Sequence, residues 1–324
     1  MIDTHIEVIK RLDLDTIPDG CFKKFRVHLV SNGMGQPIYI PVMVAKGKKE
    51  GPVLGVTAAV HGNELNGISV IQKIFKQIDV NTLTGTIVGV IAFNVPALLN
   101  QERRFIDGED INRIMPGSEF GNTSDVYVYR MMERVIQQFD YLIDLHTASF
   151  GRINSYYIRA NMKGKVASRM SHLQNADIIL SNQGADGTLR SAATDMGIHA
   201  ITSELGDPNR FQKGMISAGI EGIFNVMIDL GMIKGKIVPP AASPILCGRS
   251  YWIYANEGGV LEVLPNIVDE IKQGQKIAVT KNIFGDIAKE YFAPEDGVVI
   301  GKSVHPINQT GGRILHLGVR EANS

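Results

Sequence analysis

The chain has 324 residues, with 33 basic side chains against 33 acidic ones and 44% apolar residues. That length leads to an expectation of about two domains, each able to bury a core. The cancelled charge and a pI near 7.1 argue against a polyanion-binding surface, so nucleic acid and membrane are not expected partners and a small molecule is. Two cysteines, Cys21 and Cys247, rule out a disulfide framework and a four-thiolate zinc site. The opening MIDTHIEVIKRLDLD lacks the apolar segment of a signal peptide, and no stretch reaches the roughly 20 apolar residues that span a bilayer. A soluble, cytoplasmic protein is expected.

Residues 38–44 (IYIPVMV) and 53–60 (VLGVTAAV) read as strands, with GKKEGP between them as a turn. After HGNE, apolar residues from Leu65 to Ile78 recur at helical spacing. TIVGVIAF from Thr86 is a further strand, Ser124 to Phe139 a helix, YLIDLH a strand, HAITSEL from His199 a strand and Gly214 to Leu230 a helix. Strands of continuous apolar character separated by helices predict a mainly parallel sheet covered on both faces. Near Lys236 the composition changes. IVPPAASP is a proline-rich junction, followed by short β-like pieces punctuated by glycine. The expected division is an α/β catalytic domain over 1–238 and a small β-rich domain over 239–324.

Two glycine motifs are decoys. GMGQPI from Gly33 has Ile38 where a dinucleotide loop needs its third glycine, and GVVIGKS from Gly297 is one residue short of a phosphate loop and lies among β-pieces. No GxSxG elbow is present, which disfavours a serine hydrolase.

The chemistry concentrates at strand ends. His61 and Glu64 lie across a strand-to-helix turn, on the edge of a parallel sheet where ligands bind. Imidazole and carboxylate both suit Zn²⁺, although a turn histidine and an acid in a helix's first turn would give the same pattern. His146, at the end of YLIDLH, supplies a third donor; two histidines and a carboxylate leave a metal position open for chemistry. Asp144 faces the same side of its strand as His146, which suits an orienting carboxylate or an acid paired elsewhere. The loop QERRFIDGEDINRIMP brings arginines between the ligand-bearing strands, where a guanidinium fork can grip a carboxylate. Glu204, ending a further strand, is placed to move a proton.

The runs PVLGVTAAVHGNELNG, NVPALLNQERRF, DINRIMPG, DLHT and TSELG resemble the succinylglutamate desuccinylase/aspartoacylase family, the deacylase branch of the zinc carboxypeptidase-like fold. The resemblance covers about residues 35–230 and implies a mixed sheet flanked by helices. It implies one zinc per chain, held by His61, Glu64 and His146, with Glu204 as general acid/base. Asn112 and Arg113 would hold a substrate carboxylate. Arg104, or Arg103 beside it, would polarise the scissile carbonyl; the spacing from Arg104 to Asn112 is one residue longer than in aspartoacylase-like members. The implied activity is hydrolysis of the amide bond of an N-acyl amino acid. Alternatives are a zinc carboxypeptidase acting on peptide C-termini and a non-catalytic metal- or metabolite-binding protein. Residues 258–318 are similar to the barrel-sandwich pattern of biotinyl and lipoyl domains, but Lys281 is the only nearby acceptor lysine, which argues against a carrier. A wall for the active-site mouth, or a homo-oligomer contact, is the expected role.

Overall fold

The computed structural model describes residues 6–184 and 187–321. The chain opens with β1 (Ile6–Ile9), β2 (Cys21–Ser31), β3 (Pro37–Lys46) and β4 (Lys49–Ala58), followed by α1 (Asn66–Gln77) and β5 (Thr84–Val90). Then come α2 (Val95–Asn100), α3 (Thr123–Arg134), β6 (Tyr141–His146), β7 (Arg152–Asn154) and β8 (Tyr156–Ala160). They are followed by α4 (Lys165–His172), β9 (Ile178–Ser181), α5 (Leu189–Asp195), β10 (His199–Leu205) and α6 (Lys213–Asp229). Only strands come after α6 among the described residues: β11 (Ile245–Tyr254), β12 (Gly259–Val263), β13 (Glu270–Ile271), β14 (Lys276–Lys281), β15 (Ile287–Phe292), β16 (Gly297–Ser303), β17 (Ile307–Asn308) and β18 (Arg313–Arg320).

The sequence pattern and the structure agree on YLIDLH and HAITSEL as strands and differ at element ends for physical reasons. The strand expected to reach Val60 stops at Ala58, because Ala59 takes a left-handed conformation (φ 53°) and turns the chain toward His61. The helix expected to run to Phe139 stops at Arg134 and passes into a 3-10 turn over Ile136–Gln138. Its start is set by a capping box, in which Asn122 accepts from the Asp125 backbone and Asp125 from that of Asn122. GMGQPI is the turn of the β2–β3 hairpin, closed by hydrogen bonds between Asn32 and Gln36, and GVVIGKS is β16 itself.

Fourteen strands make one mixed sheet in the order β1-β2-β3-β5-β4-β6-β10-β8-β9-β11-β18-β16-β13, with β7 paired to β16. β5, β4, β6 and β10 are mutually parallel neighbours, so their carboxyl ends share one edge. Alternate residues of these buried strands serve two cores. Leu142 and Ala200 pack with α3 and α5 residues such as Tyr127, Met131, Leu189 and Ala193, whereas Ile143 and Ile201 pack with α1, α4 and α6 through Ile71, Met170 and Ile223. Helices therefore cover both faces. After α6, β11, β18, β16 and β13 extend the same sheet, and β15-β14-β12-β17 form a separate antiparallel sheet around Leu261, Ile277 and Tyr291. Lys281 ends β14 and is ion-paired to Glu262 at 3.1 Å, while the hairpin tip beyond it exposes Ile283 and Phe284.

Candidate active site

Strand register alone brings most of the site together. On neighbouring strands, Thr57 pairs with Asp144, Asp144 with Thr202, His146 with Glu204, Glu204 with Tyr157 and Thr202 with Arg159. Paired residues point to one face, so this row stands on the α3/α5 side at the carboxyl edge. His61 and Glu64 enter from the turn after β4. Gly62 between them passes so close to α2 that a Cβ there would lie 2.0 Å from the Ala97 carbonyl carbon. Glu64 precedes α1 rather than sitting in its first turn.

The three donors converge. Glu64 Oε1 lies 2.8 Å from His61 Nδ1, and its Oε2 lies 2.8 Å from His146 Nδ1. The Thr147 backbone also donates to Oε2 at 3.1 Å. The two imidazole rings are 5.1 Å apart, and donor atoms of His61, Glu64 and His146 all fall within 4.8 Å of one another. On the far side of each ring Nε2 donates to an aspartate: His146 to Asp144 at 2.7 Å and His61 to Asp110 at 3.1 Å. Thr57 Oγ1 in turn donates to Asp144 at 2.7 Å. An Nε2 proton held by a carboxylate leaves the Nδ1 lone pair as the ligating atom and fixes the ring's orientation.

The electrostatics match that donor set. Burial alone would raise the Glu64 carboxyl, but His61 and His146 outweigh it and hold it below the usual carboxylate range. Burial pushes His146 down, yet Asp144 and Glu64 more than reverse this and raise its proton affinity well above that of an ordinary histidine. Asp110 is likewise held low, with His61 and Arg103 overcoming its burial. Three buried or half-buried carboxylates around two imidazoles thus draw positive charge to the point between the Nδ1 atoms, and metals compete with protons for such donors. The group fits a divalent cation such as zinc.

Of the arginines in the 101–116 loop, Arg103 reaches the donors. Its guanidinium lies 3.3 Å from His61 Nδ1 and 3.4 Å from Glu64 Oε1, and grips Asp110 through Nε at 3.0 Å and a terminal nitrogen at 2.8 Å. Arg104 is exposed and donates to the Gly108 carbonyl at 2.6 Å. Asn112 Oδ1 accepts from the Leu189 backbone at 2.8 Å, tying this loop to α5, and Arg113 donates to the Asn112 carbonyl. Glu204 accepts from Asn154 Nδ2 at 3.2 Å and faces Arg159 at 3.5 Å, whose guanidinium also donates to Tyr157 Oη at 2.7 Å.

The three donors, Asp110, Asp144, Glu204, Asn112 and these arginines line one cavity of about 1050 Å³, one side of which is formed by Ser250, Trp252, Arg313 and His316 of the C-terminal strands. Arg103, Arg104, Arg113, Arg152, Arg159, Arg190 and Arg313 face it, against the carboxylates Glu64, Asp110, Asp144 and Glu204. Sequence reasoning missed Asp110 and Arg190, and expected a wall from the C-terminal region without naming the β11 and β18 residues that line the cavity. Arg190 is 5% exposed, and among the described residues its guanidinium hydrogen-bonds Asn182, through the carbonyl and Oδ1. Burial and Arg159 push it down to about 10, against Asp144.

Residues 50–230, more than half of the chain, match the model of the succinylglutamate desuccinylase/aspartoacylase catalytic domain, and the chain belongs to that family. An N-alpha-acetyl-L-2,4-diaminobutyric acid deacetylase of Halomonas elongata is 24% identical over 278 residues, covering 82% of this chain and 81% of the relative. A succinylglutamate desuccinylase of Pseudomonas aeruginosa is 26% identical over 200 residues, 57% of this chain and 58% of the relative. Among solved structures, a succinylglutamate desuccinylase/aspartoacylase from Rhodobacter sphaeroides matches with a TM-score of 0.86 at 21% identity, covering 96% of this chain and 98% of that one. The product-bound ectoine utilization protein EutE (DoeB) from Ruegeria pomeroyi matches at 0.85 and 21%, covering 94% and 98%. At these identities the two structures bear on the fold: a mixed sheet flanked by helices with an antiparallel sheet at the C-terminus. No helix among the described residues is long and apolar enough to cross a membrane.

Proposed function

We propose that the chain is a zinc-dependent hydrolase of the amide bond of N-acyl amino acids. The observation that carries this reading is the convergence of His61, Glu64 and His146 beside Glu204, inside a cavity richer in guanidinium than in carboxylate. Zinc held by His61 Nδ1, Glu64 and His146 Nδ1 would supply a Lewis acid that polarises a carbonyl and acidifies water. Asp110 and Asp144 keep the two rings oriented. Arg103, rather than Arg104, is our assignment for the donor to the developing oxyanion, because it alone of the two faces the donor group. Glu204 takes a proton from the attacking water and returns it to the leaving amine, its carboxylate aimed by Asn154 and Arg159. Asn112, Arg113 and Arg190 hold the amino acid's carboxylate; a buried guanidinium with no salt-bridged acid among the described residues is stabilised when an anion arrives.

The names of the relatives support deacylation over peptide trimming, and the C-terminal wall supports a small substrate. The test is amine release by the zinc-loaded protein from N-acyl amino acids, against dipeptides of similar bulk. Faster release from the N-acyl amino acids is expected. Preference for dipeptides would turn the reading into a carboxypeptidase, and release from neither would leave a binding protein on this fold.

A further inference from the structure

Two register rows meet at Glu204. In the first, His146 of β6, Glu204 of β10 and Tyr157 of β8 are neighbours. In the second, built mainly by the last strands, Trp252 of β11 pairs with His316 of β18, His316 with Gly301 of β16, and Gly301 with Asn154 of β7. Paired residues share a face, and Trp252, His316 and Asn154 all line the cavity. Two contacts join the rows. Asn154 Nδ2 donates to Glu204 at 3.2 Å, and the His316 ring meets that of Tyr157 edge-on, with centroids 6.3 Å apart and planes at 74°. Tyr157 Oη accepts from Arg159 Nε at 3.1 Å and from a terminal nitrogen at 2.7 Å, and Arg159 Nε faces Glu204 at 3.5 Å.

Each step fixes the next. His316 is buried, its ring stacks on Trp252 with centroids 5.0 Å apart and planes 12° from parallel, and its Nε2 pairs with Ser250 Oγ at 2.9 Å. Burial, with Arg159, Arg152 and Arg313 adding to it, holds His316 well below the usual imidazole range. The ring is therefore a neutral aromatic spacer between Trp252 and Tyr157, in the stacked and edge-on contacts that such rings prefer. On the other arm, a Cβ at Gly301 would lie 2.3 Å from Asn154 Oδ1 and 2.7 Å from the Ile153 carbonyl oxygen, so only a bare backbone lets Asn154 lie against β16. Ser155 clamps the same segment, its N–H and Oγ both donating to the Ile300 carbonyl, at 2.9 and 3.0 Å. Both groups that aim Glu204 are thus braced by strands that follow α6.

We infer that the C-terminal strands position Glu204, His316 of β18 acting through Tyr157 and Arg159 and Gly301 of β16 acting through Asn154. His316 and Gly301 are positioning residues: neither hydrogen-bonds Glu204, and each sets the place of a side chain that orients it. The β-rich segment after α6 is then a working part of the site and not only its wall. The inference rests on the proposed hydrolase reading for what Glu204 does. A misplacement of about 1 Å in a group that moves a proton lowers the rate by about 10²-fold, so a brace remote from the chemistry has a measurable effect.

The test uses the zinc-loaded full chain with N-acetyl-L-alanine and N-acetyl-L-glutamate as probes. His316→Ala is expected to lower kcat by about 10–10²-fold with KM nearly unchanged, because the loss falls on proton transfer and not on ground-state binding. His316→Phe keeps a ring between Trp252 and Tyr157 and should recover most of kcat. In an Arg159→Gln background, itself impaired, His316→Ala should add little, since its route to Glu204 is already cut. Gly301→Ala should lower kcat with KM nearly unchanged, and by less in an Asn154→Ala background. Should His316→Ala not fold, His316→Leu, which fills the space without an aromatic edge, runs the same cycle. Losses of His316→Ala and Arg159→Gln that multiply in full, or a raised KM with kcat unchanged, overturn the inference. Thermal midpoints of the same proteins keep it apart from the hydrolase reading: the combined shift should differ from the sum of the single shifts by about 2 °C or more. In an active protein the kcat cycle decides. In one that releases amine from neither probe, non-additive midpoints uphold the brace while the hydrolase reading fails, and additive midpoints overturn the brace as well.

Discussion

Glu204→Gln is expected to lower turnover of an N-acyl amino acid by about 10²–10⁴-fold while the protein keeps its fold and its metal. The substitution is nearly isosteric. Glutamine's carbonyl oxygen still accepts from Asn154 Nδ2, and Arg159 keeps its hydrogen bonds to Tyr157 Oη, so the strand row that carries the site has no reason to move. What disappears is a group that can accept a proton from water and deliver it to the amine. Glu204 is the register partner of His146 and is not among the clustered donors, so zinc content should be that of the wild type. Turnover within a few-fold of wild type, in a protein of unchanged metal content, would remove Glu204 from the proton path.

Arg103→Ala is expected to cut kcat/KM by about 10²–10³-fold, the usual loss when a donor to a developing oxyanion is removed. Arg104→Ala should change it little, because Arg104 reaches only the Gly108 carbonyl. Asp110 would keep His61 Nε2 and the Asn112 backbone as partners, which limits collateral damage to the histidine's orientation. Arg103→Lys separates the two parts of the role: it restores charge but not the fork that holds Asp110 at two nitrogens, so partial recovery is expected. If Arg104→Ala suffers the large loss and Arg103→Ala does not, the assignment is reversed.

The parallel strands β4, β5, β6 and β10 and the helices α1, α3 and α6 leave strong marks in the sequence because both faces of the sheet are buried and the runs are long. His61, His146, Asp144 and Glu204 are legible for the same reason: each sits at or beside a strand end, where parity and edge position fix what it can reach. Asp110 is a loop residue with no parity, and its pairing with His61 depends on how the turn over residues 107–110 folds. The choice between Arg103 and Arg104 hides behind that same turn. Arg190 stands on α5, a helix of seven residues, too short for a periodic signal, and only the packing of α5 over β6 and β10 brings it to the cavity. Gly187, where a Cβ would lie 2.1 Å from the Arg113 carbonyl oxygen, marks how tightly that segment closes on the 110–113 loop. β2 alternates exposed Arg26 with buried Phe25 and Val27, a pattern weaker than the apolar runs of the central strands. Trp252, Arg313 and His316 reach the site only because β11 and β18 join the main sheet, a long-range pairing that no local pattern announces.

The central claim is that His61, Glu64 and His146 bind one metal ion, and metal content per chain tests it most directly. Wild type and His146→Ala are purified without chelator, incubated with zinc, freed of excess and analysed for metal, with circular dichroism to check the fold. About one zinc per wild-type chain and its loss from a folded His146→Ala protein is the predicted result. A wild-type chain that retains no metal after zinc incubation, or a His146→Ala chain that retains it undiminished, would contradict the account.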